Sequence, residues 1–340
     1  MSLPPLRFDP LLKPRAWGGL GLERFGRQVQ KGAKVGESWD LADLPPEIPE
    51  GVSIVAEGPL AGRRLADLRD SEARALLGRL EPAATGGFPI LIKLLDAQDN
   101  LSVQVHPDPR YAAEHPNAYV KNEAWYVLDA APGAVVYRGL DPAVDAASFR
   151  RHIEEERVLA DLVRIPVKRG DCVRLPSGIC HALGAGVVVA EVQTPSDTTF
   201  RVWDWDRNDP ARPLHLEPAM ACMRFGAAQE DGRPAVVETE SAPAVTHGGC
   251  RFGRVCLTDD FTIDRFESEG ATTIPLPNRE RPLILIGIRG SARVVDGPGR
   301  TARLDLGDTV LIPADHADAQ LEASPGAELL WVELGAPSSS

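Results

Sequence analysis

Most of the chain alternates short apolar runs with glycine- and proline-containing turns, a pattern typical of β-strands rather than of long helices. The 340 residues include 30 prolines and 31 glycines. Two segments differ, residues 63–80 and 145–163, because their apolar side chains recur at spacings of three and four. That spacing indicates amphipathic helices packed on the outside of a sheet. The pattern predicts a mostly β chain with a few peripheral helices.

One apolar run leads into a strand that carries metal-binding side chains. Residues 88–97, FPILIKLLDA, are continuously apolar, as expected for a strand buried on both faces, and LSVQVHP follows. Gln104 and His106 occupy alternate positions there, so we expect them to share one face of a strand. Glu123 in EAWYVL and His181 in LPSGICHAL lie where a β-rich chain can fold back onto this strand. Their nitrogen and oxygen donors suit zinc or a related divalent ion.

A second informative stretch, residues 181–207, contains two apolar runs, VVVAEVQ and TTFRVWDW, which we expect to be neighbouring strands. Glu191 and Arg201 are each embedded in one of these runs. A buried charge needs a partner, so one interpretation is that Glu191 and Arg201 pair with each other. The other is that they belong to a functional site, which pairing would not exclude.

A weak internal repeat divides the chain. GDCVRLP at residues 170–176 is echoed by GDTVLIP at residues 307–313, each a turn, a strand and a terminating proline. Both halves are therefore expected to form one kind of small β-barrel. A polar, proline-containing stretch separates them. We predict a metal-binding domain over 1–228, a linker over 229–245 and a second β-domain over 246–336.

The composition of the chain bears on its binding partners and on its cellular location. The net charge of −12, with no basic run, disfavours nucleic acid as a partner. No stretch approaches the roughly 18 apolar residues of a membrane span, and from the residues MSLPPLRFDP we expect no export leader. The five cysteines include no CxxC pair, so we expect free thiols and a cytoplasmic location.

The repeated G-D-x-V-x-x-P pattern resembles the second motif of the cupin family, in which a histidine soon after the proline binds metal inside a jelly-roll barrel. The first copy has His181 at that place. The second copy has Asp318 there, with His316 two residues earlier, and no Gln-x-His strand precedes it. The resemblance implies two cupin-type β-barrels, of which we predict the C-terminal one to be metal-free.

The residues also resemble the short bacterial form of type I phosphomannose isomerase, a zinc enzyme that interconverts mannose 6-phosphate and fructose 6-phosphate. The resemblance covers most of the first 220 residues. The matching motifs are Trp17-Gly18-Gly19, Gly36-Glu37-Ser38-Trp39, Phe88-Pro89 with Lys93, LSVQVHP, Lys121-Asn122-Glu123 with Trp125-Tyr126-Val127, Pro176 to Leu183, and Glu191 through Arg207.

The resemblance implies one zinc ion per chain, held by Gln104, His106, Glu123 and His181. It implies Arg201 as an active-site residue and a substrate pocket lined by Lys93, Ser102, Lys121, Glu191 and Asp197, with Arg207 as a weaker candidate. Two departures are Asn122, where a small or hydroxyl residue is usual, and Ile179-Cys180 before His181, where Thr-Val is common. The thiol of Cys180 is expected to make the site sensitive to oxidation.

The expected reaction moves a proton between C1 and C2 of the sugar, which requires a base at carbon and positive charge near the carbonyl oxygen. Arg201 is expected to stabilise developing negative charge, because a guanidinium is a poor base. Glu191 is a candidate for carrying the proton, and the base is left open. The alternatives are another cupin metalloenzyme of the oxygenase type and a non-catalytic sugar-phosphate sensor. We expect a sugar phosphate as the small-molecule partner, and a monomer or homodimer.

Overall fold

The computed structural model describes residues 2–207, 209–277, 280–316 and 318–335. The helices are short: α1 (Leu65–Ser71), α2 (Ala73–Leu77), α3 (Pro109–Glu114), α4 (Ala146–Glu154), α5 (Val158–Asp161) and α6 (Leu216–Cys222). The strands are β1 (Leu6–Arg7), β2 (Leu11–Gly19), β3 (Val35–Leu41), β4 (Leu91–Ala97), β5 (Val103–Val105), β6 (Glu123–Ala130), β7 (Val135–Leu140), β8 (Leu162–Pro166), β9 (Asp171–Leu175), β10 (His181–Leu183), β11 (Val187–Gln193), β12 (Phe200–Trp203), β13 (Val236–Glu238), β14 (Ala244–His247), β15 (Cys250–Leu257), β16 (Phe261–Ser268), β17 (Thr272–Pro275), β18 (Leu283–Arg289), β19 (Ser291–Val295), β20 (Thr301–Asp305), β21 (Thr309–Ile312), β22 (Gln320–Ala323) and β23 (Glu328–Leu334). The prediction of a mostly β chain with few helices is confirmed.

Two antiparallel sheets face each other in the first barrel. The seven-stranded sheet has the order β13-β9-β6-β11-β4-β3-β2, and the five-stranded sheet has the order β12-β5-β10-β7-β8. Trp125 and Val189 of the larger sheet share one apolar core with Val136 and Leu183 of the smaller sheet. This shared core fills one end of the barrel, as alternating inward-facing side chains of two packed sheets do.

The second barrel is built in the same way. Its seven-stranded sheet has the order β1-β21-β18-β23-β16-β15-β14, and its four-stranded sheet has the order β17-β22-β19-β20. Phe266 and Trp331 from the first of these sheets pack with Leu304 and Leu321 from the other. The predicted pair of barrels is therefore confirmed.

The two seven-stranded sheets pack against each other through their outer faces. Ala124 and Tyr126 of β6 lie in one buried apolar cluster with Ile263 and Val332 of the second barrel. Every residue of β4 is buried, as predicted for a strand covered on both faces. The second barrel thus packs against the outer face of the first.

Short strands cross the predicted domain limits. Strand β1, at the start of the chain, pairs with β21 of the second barrel through Leu6 and Leu311. Strand β13 lies within the predicted linker 229–245 and pairs with β9 of the first barrel. The limits of the three segments stay a prediction, and residue 336, the end of the third, lies outside the described residues.

The predicted helical segments are divided more finely in the structure. Glu72 separates α1 from α2 within residues 63–80. In the segment 145–163, α4 ends at Glu154, Glu156 adopts a positive φ of 58°, and Leu162 begins β8. A left-handed residue interrupts a helix, so the predicted extent to residue 163 was too long. None of the helices in the described part of the chain has the length and apolar character needed to cross a membrane.

The internal repeat corresponds to one turn used twice. Gly170 and Gly307 have φ values of 94° and 86°, a region that favours glycine. Asp171 accepts a hydrogen bond from the backbone N–H of Lys168 at 2.8 Å, and Asp308 accepts the same bond from Asp305 at 2.9 Å. Each aspartate closes the turn that enters a central strand of its barrel, β9 or β21.

Candidate metal centre and the surrounding pocket

The structure brings the four predicted metal ligands together between the two sheets of the first barrel. Gln104 and His181 face each other across β5 and β10, and Glu123 begins β6 in the opposite sheet. Nε2 of His181 lies 3.1 Å from Oε1 of Glu123, and Nε2 of His106 lies 3.4 Å from Oε2. His106, Glu123 and His181 are buried and form a group whose ligand atoms all lie within 4.8 Å of one another.

Backbone carbonyls fix the tautomers of both histidines. Nδ1 of His106 lies 3.1 Å from the Thr198 carbonyl, and Nδ1 of His181 lies 2.8 Å from the Ile179 carbonyl. Because a carbonyl only accepts, each Nδ1 carries the proton and each Nε2 presents a lone pair. These lone pairs point toward the carboxylate of Glu123, which also only accepts.

Acceptors that face one another in this way need a cation between them. Among the described residues, Nε2 of His106 and both oxygens of Glu123 are buried without a well-oriented hydrogen bond. Nζ of Lys121 lies 2.9 Å from Oε2 of Glu123, which leaves Oε1 of Glu123 and Nε2 of His106 still in need of a partner. Unsatisfied buried acceptors cost about 1–3 kcal/mol each. Two imidazole nitrogens and a carboxylate are the donor set of many zinc centres, so the residues fit a divalent metal.

Gln104 is positioned to add a fourth donor. Its Oε1 accepts from the Ser102 hydroxyl at 3.2 Å, and its Nε2 lies 3.4 Å from Nε2 of His181. Exchanging the amide oxygen and nitrogen would place the oxygen beside the histidines and let the NH2 group donate to Ser102. A bound metal would favour that orientation, because it needs the oxygen as ligand.

The protonation states also suit metal binding. Burial lowers the pKa of His106 to about 3, and Lys121 acts in the same direction. Burial would raise the pKa of Glu123, but Lys121 and His106 hold that pKa well below its usual range. At neutral pH the site therefore presents a neutral imidazole and a carboxylate, the forms that bind metals.

Adding zinc to chelator-stripped protein is expected to raise its unfolding temperature. We expect the ion to bind the folded site, because it would relieve the repulsion among the acceptors. At a free concentration about 100 times the dissociation constant it adds about 3 kcal/mol to the free energy of unfolding. Differential scanning calorimetry measures this, with magnesium as the control because it prefers oxygen ligands. An equal response to both ions would contradict a nitrogen-containing site.

Charged side chains line the inner wall beside the metal ligands. Glu191 on β11 is paired in register with Lys93 on β4 and Trp125 on β6. Nζ of Lys93 lies 3.0 Å from Oε1 of Glu191, and the indole N–H of Trp125 donates to Oε2 at 2.8 Å. Burial opposes the charge of Lys93, but Glu191 and Glu37 raise the pKa of Lys93 above its usual value. The Lys93 ammonium is thus held beside the Glu191 carboxylate.

The interpretation that Glu191 and Arg201 pair with each other was wrong, and so was the expectation that their strands are neighbours. Strand β11 lies in the seven-stranded sheet and β12 in the five-stranded sheet. The chain crosses between the sheets over residues 194–199, a turn that the two apolar runs do not reveal. Arg201 instead pairs in register with Gln104, and its Nη1 donates to the Pro213 carbonyl at 2.9 Å.

The guanidinium of Arg201 retains capacity for another partner. Its Nε is buried and has no hydrogen-bond partner among the residues the structure describes. Burial lowers the pKa of Arg201, and Arg212 acts in the same direction. A positive group that is incompletely satisfied beside Gln104 is suited to an anionic or carbonyl oxygen.

The other predicted pocket residues occupy different environments. Nζ of Lys121 is buried 2.9 Å from Oε2 of Glu123. Asp197 is exposed and lines a cavity of ≈ 470 Å³ next to Thr198, the residue whose carbonyl holds His106. Arg207 donates to Asp204 at 2.7 Å and also to the Asn100 carbonyl, so part of its donor capacity serves the loop.

Cys180 does not form part of the metal centre. Its side chain is fully buried in an apolar cluster that includes Ala182 and Cys222. Burial raises the pKa of Cys180 far above its usual value. A protonated, shielded thiol is unreactive, so the expected sensitivity to oxidation has no support in this geometry.

Sequence reasoning assigned no role to Trp125 or to the carbonyls of Ile179 and Thr198. Trp125 lies two positions after Glu123, on the same face of β6, and its edge packs against the ring of His181 with centroids 5.4 Å apart. Strand alternation could have identified it. In the second barrel, Nε2 of His316 lies 3.3 Å from the Pro277 carbonyl, and the absence of metal there stays a prediction.

Comparisons with known proteins identify the family to which this chain is similar. The family model described as phosphomannose isomerase type I, catalytic domain, matches residues 6–131. The mannose-6-phosphate isomerase ManA of Bacillus subtilis (strain 168) is 32% identical over 327 residues, covering 95% of this chain and 97% of the relative. The mannose-6-phosphate isomerase of Streptococcus mutans is 33% identical over 319 residues, covering 91% of this chain and 92% of the relative.

Solved structures show the same fold. The crystal structure of mannose 6-phosphate isomerase from Bacillus subtilis has a TM-score of 0.84 and 30% identity, over 97% of this chain and 99% of the other. A mutant of phosphomannose isomerase from Salmonella typhimurium has a TM-score of 0.73 at 16% identity, over 98% and 100% of the two chains. At that identity the second likeness concerns the fold alone.

Proposed function

The chain belongs to the type I phosphomannose isomerase family, and we propose that it interconverts mannose 6-phosphate and fructose 6-phosphate by moving a proton between C1 and C2 through an enediolate. One observation carries the proposal. Glu123, which lies in the cluster of potential metal ligands, and Glu191 are on adjacent strands of one inner wall. A metal centre and a proton-transferring group can therefore reach the same small substrate.

The proposed cofactor is one zinc ion per chain, held by Gln104, His106, Glu123 and His181. The donor set of two imidazoles and two oxygens supports zinc over calcium or magnesium, which prefer oxygen alone. When bound, the ion supplies a Lewis acid that polarises substrate oxygens.

We assign the proton transfer to Glu191. Glu191 pairs in register with Trp125, so it lies diagonally opposite Glu123 on the adjacent strand. Diagonal neighbours of this kind are about 7–8 Å apart between their Cα atoms. Trp125 and Lys93 hold the two carboxylate oxygens in place, so the group is oriented before substrate arrives.

Arg201 is proposed to stabilise negative charge on the enediolate. Although burial lowers the pKa of Arg201, a guanidinium stays protonated at neutral pH. Arg201 is therefore unsuited to act as the base. Its buried Nε is a donor in need of an acceptor, and a developing oxyanion supplies one.

Substrate binding is proposed for Lys93, Ser102, Lys121, Asp197 and Arg207. Lys93 and Lys121 are buried beside the Glu191 and Glu123 carboxylates, and each ammonium has three N–H groups, so both have donors left for an anionic sugar phosphate. Asp197 lines the neighbouring cavity and suits sugar hydroxyls as a hydrogen-bond acceptor. The remaining N–H groups of Arg207 are available for phosphate.

Two wider features belong to the same proposal. A cytoplasmic location is supported by five cysteines that are all free and buried. We also propose that the enzyme acts as a monomer or homodimer, which sedimentation velocity tests directly.

Removing the metal is expected to abolish conversion of mannose 6-phosphate. A coupled assay follows fructose 6-phosphate before chelation, after chelation and after zinc is restored. Loss followed by recovery supports the zinc isomerase. Turnover that persists after complete metal removal contradicts the metal role, and a metal-loaded protein that binds mannose 6-phosphate without converting it is a sensor.

A further inference from the structure

We propose that Asp260 of the second barrel is a positioning residue for the metal centre of the first, acting through the side chain of Asn122. Asn122 lies between Lys121 and Glu123, and its Nδ2 donates to Oδ2 of Asp260 at 2.7 Å. The inference rests on the proposed function only in treating Glu123 and His181 as metal ligands. It gives the C-terminal barrel a role in catalysis.

The orientation of the Asn122 amide follows from its partners. Its Oδ1 accepts from the backbone N–H of Ser177 at 2.9 Å, and a backbone N–H can only donate. The other end must therefore be the NH2 group, which requires an acceptor. Asp260 is that acceptor, so both ends of one amide are committed across three segments of the chain.

These segments carry the metal ligands. Ser177 opens the turn that leads to His181, and the next residue, Gly178, donates its N–H to the His106 carbonyl at 3.0 Å. The backbone N–H and carbonyl of Asn122 both bond to Thr194 at the end of β11, each at 3.0 Å. A shift of Asn122 therefore moves Glu123 and the turns before His181 together.

Asp260 is itself held in a defined place. It lies in the turn between β15 and β16, where its N–H donates to the Thr258 hydroxyl at 3.2 Å. Its carbonyl accepts from Gly335 at 2.6 Å. The turn joins the two strands of a hairpin that packs on the outer face of the first barrel, so it is a rigid support for the amide.

The adjacent residue offers a matched control. Asp259 is exposed and forms an ion pair with Arg233 of the predicted linker at 2.5 Å, away from Asn122. Asp259→Ala removes the same group from the same turn without touching the amide. An exposed ion pair contributes about 0–1 kcal/mol, so this change should be nearly silent.

The experiment compares Asp260→Ala, Asp260→Asn and Asp259→Ala for zinc affinity by chelator competition. It also measures hydrogen exchange of residues 119–124 without metal, together with kcat and KM. We expect Asp260→Ala to weaken zinc binding about 10-fold, to speed exchange and to lower kcat more than it changes KM. Asp260→Asn keeps an oxygen acceptor and should restore zinc affinity. Asp259→Ala should match the unchanged protein.

Asn122→Ser tests the other end, because serine cannot span Ser177 and Asp260. It should reproduce the loss of zinc affinity, and adding Asp260→Ala to it should lower that affinity little further, since the effects of coupled residues are not additive.

Lower thermal stability with unchanged zinc affinity and exchange would overturn the proposal. If the protein without substitutions does not convert mannose 6-phosphate, the proposed function is refuted. Zinc affinity and hydrogen exchange would still decide the role of Asp260 in that case. If Asp260→Ala does not fold, Asn122→Ser decides it.

Discussion

Glu191→Gln is expected to lower kcat about 10³-fold, because general acid–base catalysis typically contributes 10²- to 10⁴-fold. The amide has nearly the shape of the carboxylate but cannot accept the proton from carbon. Zinc content should remain at one per chain, since Glu191 is not among the proposed ligands. The measurement is steady-state turnover of mannose 6-phosphate, with zinc determined on the same sample.

Glu191→Gln is also expected to lower stability, and this effect has to be distinguished from a loss of catalysis. Lys93 lies 3.0 Å from Oε1 of Glu191, and it would lose its partner while buried. An unpaired buried charge costs several kcal/mol, so some loss of stability is expected. Glu328→Gln is the matched control, because Glu328 is a buried carboxylate in the second barrel, paired with Arg265 at 3.0 Å and with Arg289 at 2.7 Å. It should lose stability and keep kcat.

Comparable loss of kcat in both variants would mean that stability explains the effect. Near-normal kcat in Glu191→Gln alone would remove Glu191 from the chemical step. The base would then have to be sought among the other polar groups of the same wall.

That Gln104, His106, Glu123 and His181 lie close together could be expected from the sequence, because their positions depend on local rules. Alternation along a strand places Gln104 and His106 on one face, and the turn before β10 delivers His181 beside Gln104. Glu123 reaches the same place because β6 starts there in the facing sheet. Residue type and strand period are enough for this much.

Sheet membership could not be predicted by the same rules. Two apolar runs that follow each other in sequence usually pair, and on that ground β11 and β12 were expected to be neighbours. The short crossing between sheets instead gives Glu191 to the wall with Lys93 and Arg201 to the strand beside Gln104. Each charge consequently finds a different partner, which only the tertiary structure reveals.

The contact between Asn122 and Asp260 also could not be predicted from the sequence, since 138 positions separate the two residues and neither belongs to a periodic pattern. Strand β6 explains why such a contact arises. Its inner side chains, Glu123 and Trp125, face the metal centre, while Tyr126 packs on the second barrel. A strand with two buried faces transmits the position of one barrel to the other, so the ligand geometry depends on both.

His181→Ala is expected to abolish zinc binding at stoichiometric concentrations and to lower turnover about 10³-fold, because Lewis-acid stabilisation is worth several kcal/mol. The remaining donors are Gln104, His106 and Glu123, and they no longer surround the ion. The imidazole also separates Gln104 from Glu123, so its removal leaves a void at the centre of the site. Zinc content after gel filtration and the coupled assay measure the two effects.

His115→Ala is the matched control for this prediction. His115 is exposed, stacks on Tyr111 with ring centroids 3.8 Å apart, and has no contact with the metal centre in the described structure. Its loss should leave both zinc content and turnover unchanged. If His181→Ala retained a full complement of zinc, the ligand set would be wrong. If it lost zinc but kept turnover, the metal would stabilise the barrel without taking part in isomerisation.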